Sequence, residues 1–180
     1  MRRLPRNGTN VITFSVGHSG EFIDFTDAVL NHFHSHRQLK WWQAEACGLL
    51  FARTQGKHII IDDATGPYRR GWRRRYACEI PADEAQREID ERHVHGLHYV
   101  GEWHSHPEPA PTPSSRDQQT MQSRVLKSNH RMGGFIFALI GQAEFSRGLT
   151  VLVHDGVHAI TLSHTDEFSQ PTHPPAARTY

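Results

Sequence analysis

Apolar positions change their period several times along the chain, and each change marks an element. Residues 11–16 alternate apolar side chains with Thr and Ser, and a His18-Ser19-Gly20 turn leads into Phe22-Ile23-Asp24-Phe25, which predicts a β-hairpin. Behind Thr26, a suitable N-cap, Val29, Leu30 and Phe33 fall on one helical stripe, with Phe25 placed to staple onto Leu30. Residues 44–52 are a short Leu- and Phe-rich run that predicts a buried strand, and His58-Ile59-Ile60-Ile61 predicts another, closed by Asp62-Asp63 and the Gly66-Pro67 turn. Pro81 at a first helical position, Ala82, Ala85 and Ile89 on one face, and Gly96 as a stop describe a second helix.

In the second half, residues 97–103 read as a strand, residues 107–113 as a rigid proline-rich loop, and residues 114–127 as a third helix with Met121 and Val125 four apart. Residues 134–140 and 149–154 predict further core strands, and Gly156 turns the chain into a last one at 157–162. Strands flanked by three helices predict a single α/β (α+β) domain, with mixed strand directions because both hairpins and helical crossovers occur. The domain is expected to span 1–163. Residues 164–180, rich in Pro, His and Thr, have too little apolar content to pack and are expected to form a flexible C-terminal tail.

Composition narrows the function classes. The 180 residues are 37% hydrophobic and 22% charged, and no apolar run approaches the ~18 residues of a membrane span, so no membrane partner is expected. A net charge of +1 argues against a dedicated nucleic-acid binder. Five arginines, Arg69, Arg70, Arg73, Arg74 and Arg75, surround Trp72. They read either as a solvated loop or hairpin, or as an electropositive lip for an acidic partner protein. Cys47 and Cys78 are too few for a disulfide framework and read as small packed side chains, and the Met-Arg-Arg-Leu-Pro start lacks the apolar core of a secretory signal. A cytoplasmic address is expected. Histidine is abundant at 15 residues, and it is the commonest metal ligand.

The chemistry concentrates in Gly101-Glu102-Trp103-His104-Ser105-His106-Pro107, followed by Ser114 and Asp117. Strand side chains alternate with period two, so His104 and His106 project from one face as a two-pronged metal arm. Asp117, in the first turn of the third helix, can swing its carboxylate back toward the strand end. Two imidazoles and one carboxylate leave a fourth tetrahedral position open, the catalytic rather than the structural zinc arrangement. Other readings stand beside this one. His34/His36 and His93/His95 show that such pairs arise by chance in a histidine-rich chain, and Ser114 with Asp117 also fits a helix cap that needs no metal. Spacing alone does not choose the base among Glu45, Glu102 and Glu108.

His104-Ser105-His106, seven residues, Ser114, two residues and Asp117 match the H-x-H-x7-S-x2-D signature of the JAMM (JAB/MPN) metalloproteases, and Glu45-Ala46-Cys47-Gly48-Leu49-Leu50 resembles the family's upstream glutamate segment. The resemblance implies a cytidine-deaminase-like mixed sheet flanked by helices, with one Zn2+ held by His104, His106 and Asp117. It further implies Glu45 as general base and Ser114 as a hydroxyl that helps hold the oxyanion. The stretches 96–108 and 45–52, with Gln38 ahead of them, are most similar to the prokaryotic JAB peptidases of CBASS antiphage operons and integrative elements. That likeness implies hydrolysis of the amide joining the extended C-terminal tail of a cyclic-nucleotide synthase, or of a ubiquitin-like protein, to a lysine or a fusion partner. Trimming of sulfur-carrier precursors and a non-catalytic MPN scaffold are the other functions the family offers.

Overall fold

The computed structural model describes residues 11–165. In chain order the elements are β1 (Ile12–Ser15), β2 (Phe22–Phe25), α1 (Asp27–Ser35), β3 (Cys47–Gln55), β4 (His58–Ala64), β5 (Arg73–Arg74), β6 (Ala77–Cys78), α2 (Ala82–Val94), β7 (His98–Ser105), α3 (Ser115–Lys127), β8 (Phe135–Ile140), β9 (Leu149–His154), β10 (Ala159–Thr161) and β11 (Ser163–His164). Nine strands form one sheet in the order β10-β9-β8-β7-β3-β4-β2-β1-β11, and β5 and β6 pair separately. The sheet is mixed, as expected. β2 runs parallel to β4 and β7 parallel to β8, while the hairpin β1–β2 and the pairs β3–β4, β3–β7 and β8–β9 are antiparallel.

Strand alternation divides the core into two faces. On one, Ile136, Ala138 and Ile140 of β8 join Leu50, Trp103 and the α1 stripe of Val29, Leu30 and Phe33. On the other, Phe135, Phe137 and Leu139 meet Met121 and Val125 of α3, and Leu49 and Phe51 of β3 meet Tyr68 and Ile80, with Ala85 and Ile89 of α2 packed against them. All six residues of β8 are buried, which is why its sequence is continuously apolar. Fully burying each such side chain contributes roughly 1.5–3 kcal/mol, so this central strand anchors both layers.

Two glycines let β3 and β7 approach their neighbours. A Cβ on Gly48 would lie 1.6 Å from the Thr65 carbonyl oxygen and 2.7 Å from Trp103 Nε1, the nitrogen that donates to that carbonyl at 2.8 Å. At Gly101, φ is +153° and a Cβ would lie 1.7 Å from the Ile136 oxygen. The β3–β7 register shifts between Leu50 and Phe51, opposite this glycine, so the bulge resets which side chains of β7 face which layer.

Several local expectations change. Thr26 takes the N-cap position, but its hydroxyl donates to the Ile61 carbonyl of β4 at 3.1 Å and leaves the helix uncapped by a side chain. Pro81 stands one position before α2 rather than inside it. Ser163 and His164, read as the junction with a flexible tail, pair with Ser15 and Phe14 of β1. Residues 166–180 of that tail lie outside the described residues. Cys47 and Cys78 are not separate packed thiols: a disulfide joins them across 31 positions and ties β6 to β3. Their distance in sequence hid this, because only the fold carries the 77–78 strand back to the start of β3.

Candidate active site

The ends of β3 and β7 lie side by side, with Cys47 opposite His104 in the register. The ladder continues past the strand: Ser105 N–H donates to the Ala46 carbonyl at 2.8 Å and His106 N–H to the Ile140 carbonyl at 2.7 Å. The backbone around both histidines is therefore held between β3 and β8. His104 Nε2 and His106 Nε2 are 2.9 Å apart. Asp117 presents Oδ1 to His104 Nε2 at 3.4 Å and Oδ2 to His106 Nε2 at 3.5 Å.

Asp117 reaches this point because it is also part of the helix cap. Ser114 N–H and Ser114 Oγ donate to Asp117 Oδ2 at 2.7 and 2.6 Å, and Asp117 N–H donates to Ser114 Oγ at 3.2 Å, a reciprocal capping box. The cap reading of Ser114-x-x-Asp117 is met, and the same carboxylate faces both imidazoles. Burial raises the proton affinity of Asp117, but hydrogen bonds from His104, His106 and Ser114 outweigh it and hold the carboxyl well below its usual range. Burial also pulls the His104 pKa down, and the hydrogen bond to Asp117 with the charges of Glu45, Asp117 and Glu102 raises it on balance.

The donor set fits a divalent metal. Among the described residues His104, His106 and Asp117 form a three-residue group whose candidate ligand atoms all lie within 4.8 Å of one another. Four ligands held ~2.0–2.1 Å from a tetrahedral zinc sit ~3.3–3.4 Å apart; each imidazole has an Asp117 oxygen near that distance, the two Nε2 atoms are closer at 2.9 Å, and two nitrogens with one carboxylate oxygen suit zinc chemically.

Glu45 lines the same small cleft, of about 90 Å³, with His104, Asp117, Arg116 and the 76–78 segment. Its carboxyl is buried, and Cys78 Sγ lies 3.4 Å from Oε1. Burial raises its pKa, the two histidines pull it down, and Asp117 pushes it up, leaving it above the ordinary carboxylate value. Glu102 also lines the cleft, but it is committed elsewhere: Arg124 Nε is 2.8 Å from its Oε1, and the Tyr99 hydroxyl donates to the same oxygen at 3.3 Å. Glu108 accepts from Thr112 N–H at 3.3 Å, within the proline-rich loop.

The arginine segment is a hairpin rather than an unstructured loop, and its arginines have distinct partners. Arg70 pairs with Asp83 at 2.5 Å and with Glu84 at 3.7 Å, so its charge is matched inside the chain. Arg73 donates from Nε to the Glu45 carbonyl at 2.7 Å, and Glu45 N–H donates to the Arg74 carbonyl at 2.7 Å, which fixes β5 beside Glu45. Arg75 donates to the Trp41 carbonyl and, from Nε, to the Tyr76 hydroxyl at 2.9 Å. Arg70 is thus paired with the start of α2, and Arg73 braces the backbone of Glu45.

Gln38 and Ser105 are the positioning residues that sequence spacing missed. Gln38, almost fully buried, accepts from Ser105 Oγ at 3.1 Å and donates to the Arg75 carbonyl at 2.9 Å and the Gln43 carbonyl at 3.2 Å. Ser105 Oγ in turn accepts from Ala46 N–H at 2.9 Å. One amide thereby links the histidine strand, the Glu45 segment and the hairpin. Period-two alternation places Ser105 on the face opposite His104, and that was the available signal.

The chain matches the family model described as prokaryotic homologs of the JAB domain over residues 26–162. Proteins named CD-NTase/cGAS isopeptidase are similar to it. The Vibrio cholerae protein is 27% identical over 123 residues, 67% of this chain and 76% of that protein. The Pseudomonas aeruginosa protein is 35% identical over 99 residues, covering 53% and 63%, respectively. A Desulfitobacterium hafniense protein of known solution structure shares the fold, with a TM-score of 0.51 at 18% identity over 73% of this chain and 82% of that one.

Proposed function

Because the chain belongs to the prokaryotic JAB family, we propose that it is a zinc-dependent isopeptidase of a CBASS-type defence system, acting in the cytoplasm. Its substrate is the amide that joins the C-terminal residue of a CD-NTase, or of a ubiquitin-like protein, to a lysine or a fused partner. The reading rests on one observation, the convergence of His104, His106 and Asp117 beside a cleft that His104 and Asp117 line together with the buried Glu45. The similarity to named isopeptidases supports the substrate class.

His104, His106 and Asp117 would hold the metal. Bound there, zinc supplies Lewis acidity that lowers the pKa of water to about 7 and polarises the scissile carbonyl. Glu45, with its raised proton affinity, takes the proton of the attacking water and delivers it to the departing amine nitrogen, since an unprotonated alkylamine is a poor leaving group. Water and amide are consumed, and a carboxylate and an amine leave. Ser114 is the proposed donor to the carbonyl oxygen, a role for which its hydroxyl must turn away from Asp117. β6, which lines the cleft together with Tyr76, offers the strand edge along which an extended tail adds by backbone hydrogen bonds.

The test is mass spectrometry of a CD-NTase joined at its C-terminus to a reporter amine, incubated with the zinc-loaded enzyme and with Glu45→Ala. Cleavage directly after the last CD-NTase residue, dependent on Glu45, is expected. Trimming of a sulfur-carrier precursor with no cleavage of the conjugate would transfer the function to that class. Cleavage of neither, with no zinc bound, would make the chain a scaffold.

A further inference from the structure

Beside the cleft lies an aromatic and cationic surface that the reaction does not use. Trp41 is 75% exposed, Trp42 63% and Tyr76 67%, in a domain whose other large aromatics are mostly buried. Exposed tryptophans so close together are unusual on a self-sufficient surface and characteristic of contact surfaces. The loop 38–43 and the hairpin 72–78 that carry them are bound to each other through Arg75, which donates to the Trp41 carbonyl, and through Gln38, which donates to the Arg75 carbonyl. Neither segment contains an acidic residue, and Lys40, Arg74 and Arg75 give the patch one sign of charge. Tyr76 belongs to the patch and to the wall of the cleft, so whatever enters the cleft passes this surface.

We infer that Trp41, Trp42 and Tyr76, with Lys40 and Arg75, form a docking surface for the folded body of the same protein whose C-terminal tail enters the cleft, and that this body presents an apolar patch rimmed by carboxylates. The inference deepens the isopeptidase reading and rests on it. Charge complementarity selects an acidic rim, and rigid amphipathic aromatics bury large area at low entropic cost. The same residue types also suit single-stranded nucleic acid, but the geometry is against it. Lys40 lies over the Trp42 ring at 5.2 Å and Arg75 over Tyr76 at 5.4 Å, while Trp41 and Trp42 meet edge to face at 90°. One face of each of these two rings is covered by the chain's own cation, and the perpendicular tryptophan pair offers no parallel platform for successive bases.

The experiment compares two substrates of the zinc-loaded enzyme: a full CD-NTase with a reporter on its C-terminal amide, and a peptide of only its last ~10 residues with the same reporter. For Trp41→Ala/Trp42→Ala, kcat/KM on the full conjugate is expected to fall at least tenfold through KM, with kcat and peptide cleavage unchanged. Lys40→Glu is expected to act in the same direction with a smaller loss. An unchanged ratio of the two substrates, or an equal loss on both, overturns the docking surface while leaving the isopeptidase reading intact. If the wild type cleaves neither, that reading falls, and binding of the unconjugated CD-NTase decides the surface: loss of binding in the double variant supports it, equal binding refutes it. Weaker binding of a labelled single-stranded oligonucleotide by the double variant, with the conjugate unaffected, would assign the surface to nucleic acid instead.

Discussion

At the end of β7, His106 and Ser105 are buried and the backbone is tied on both sides, while further along the same hydrogen-bond network Trp41, Trp42 and Tyr76 stand in solvent. Gln38 belongs to both regions, bonding inward to Ser105 and outward to Arg75. The difference follows from what each region must do. A reacting constellation loses rate when a group strays by an ångström, so it is cross-braced from inside. A docking surface gains its energy only when a partner covers it, so it must wait exposed, held by its backbone rather than by the packing of its aromatic rings.

The strongest way to break this comparison is at the inner region. Glu45→Ala is expected to lower kcat by about 10²–10⁴, the usual worth of a general base, while retaining zinc and fold; His106→Ala is expected to lose the zinc itself. Elemental analysis beside turnover distinguishes them, and equal zinc in wild type and His106→Ala would remove the ligand assignment.

Next is the bond between the two regions. Opening Cys47–Cys78, which closes a 31-residue span, is expected to cost about 3.7 kcal/mol by chain entropy and to lower the melting temperature by roughly 7–15 °C. The hairpin should keep its place through Arg73 and the Glu45–Arg74 bond, so Cys78→Ser is expected to lose stability more than turnover. Calorimetry with and without a dithiol reductant, paired with an activity assay, checks both.

Gln38→Leu sharpens the comparison by cutting the shared amide. It strands Ser105 Oγ and two carbonyls, at a cost of about 2 kcal/mol, and it should raise KM and lower kcat together because cleft and hairpin lose their common brace. Denaturant titration beside Michaelis–Menten kinetics reads this; a change in stability alone would limit Gln38 to folding.

Behind the site, His32 packs edge-on against Trp103 at 5.1 Å, and burial followed by the nearby His36 charge lowers its pKa from 6.5 to about 4. Between these values the unfolded chain binds more protons than the folded one, so stability falls as pH drops from ~6.5 toward ~4. The expected loss at pH 4.5 is on the order of 2 kcal/mol, and His32→Phe should flatten that part of the curve, as urea midpoints at pH 7.5 and 4.5 would show.

The smallest expected effect is at Glu102→Gln, less than about threefold on kcat/KM, because the amide still accepts from Tyr99 and the carboxylate is engaged with Arg124 rather than with the reacting atoms. A loss as large as that of Glu45→Ala would exchange the roles of the two glutamates.

Much of this was legible before any fold was known. Alternation at 11–25, the stripe of α1 and the continuous apolar run of β8 mark elements because their periods are set by local backbone geometry. His104 and His106 are read as a pair for the same reason, two apart at the end of one strand, and Asp117 is placed near a helix start by Ser114 three residues before it. Short-range spacing carries these readings, since each depends on neighbours within a turn or a strand.

Only the tertiary structure decided what comes from afar. That Glu45 rather than Glu102 stands free of an arginine in the cleft depends on Arg124 reaching Glu102 from α3. That Cys47 meets Cys78, that Gln38 finds Ser105 across 67 positions, and that Arg75 reaches the Trp41 carbonyl are consequences of how the loops return to one end of the neighbouring strands β3 and β7. No period encodes such meetings, because the packing of remote segments, and not the torsions of adjacent residues, sets their geometry.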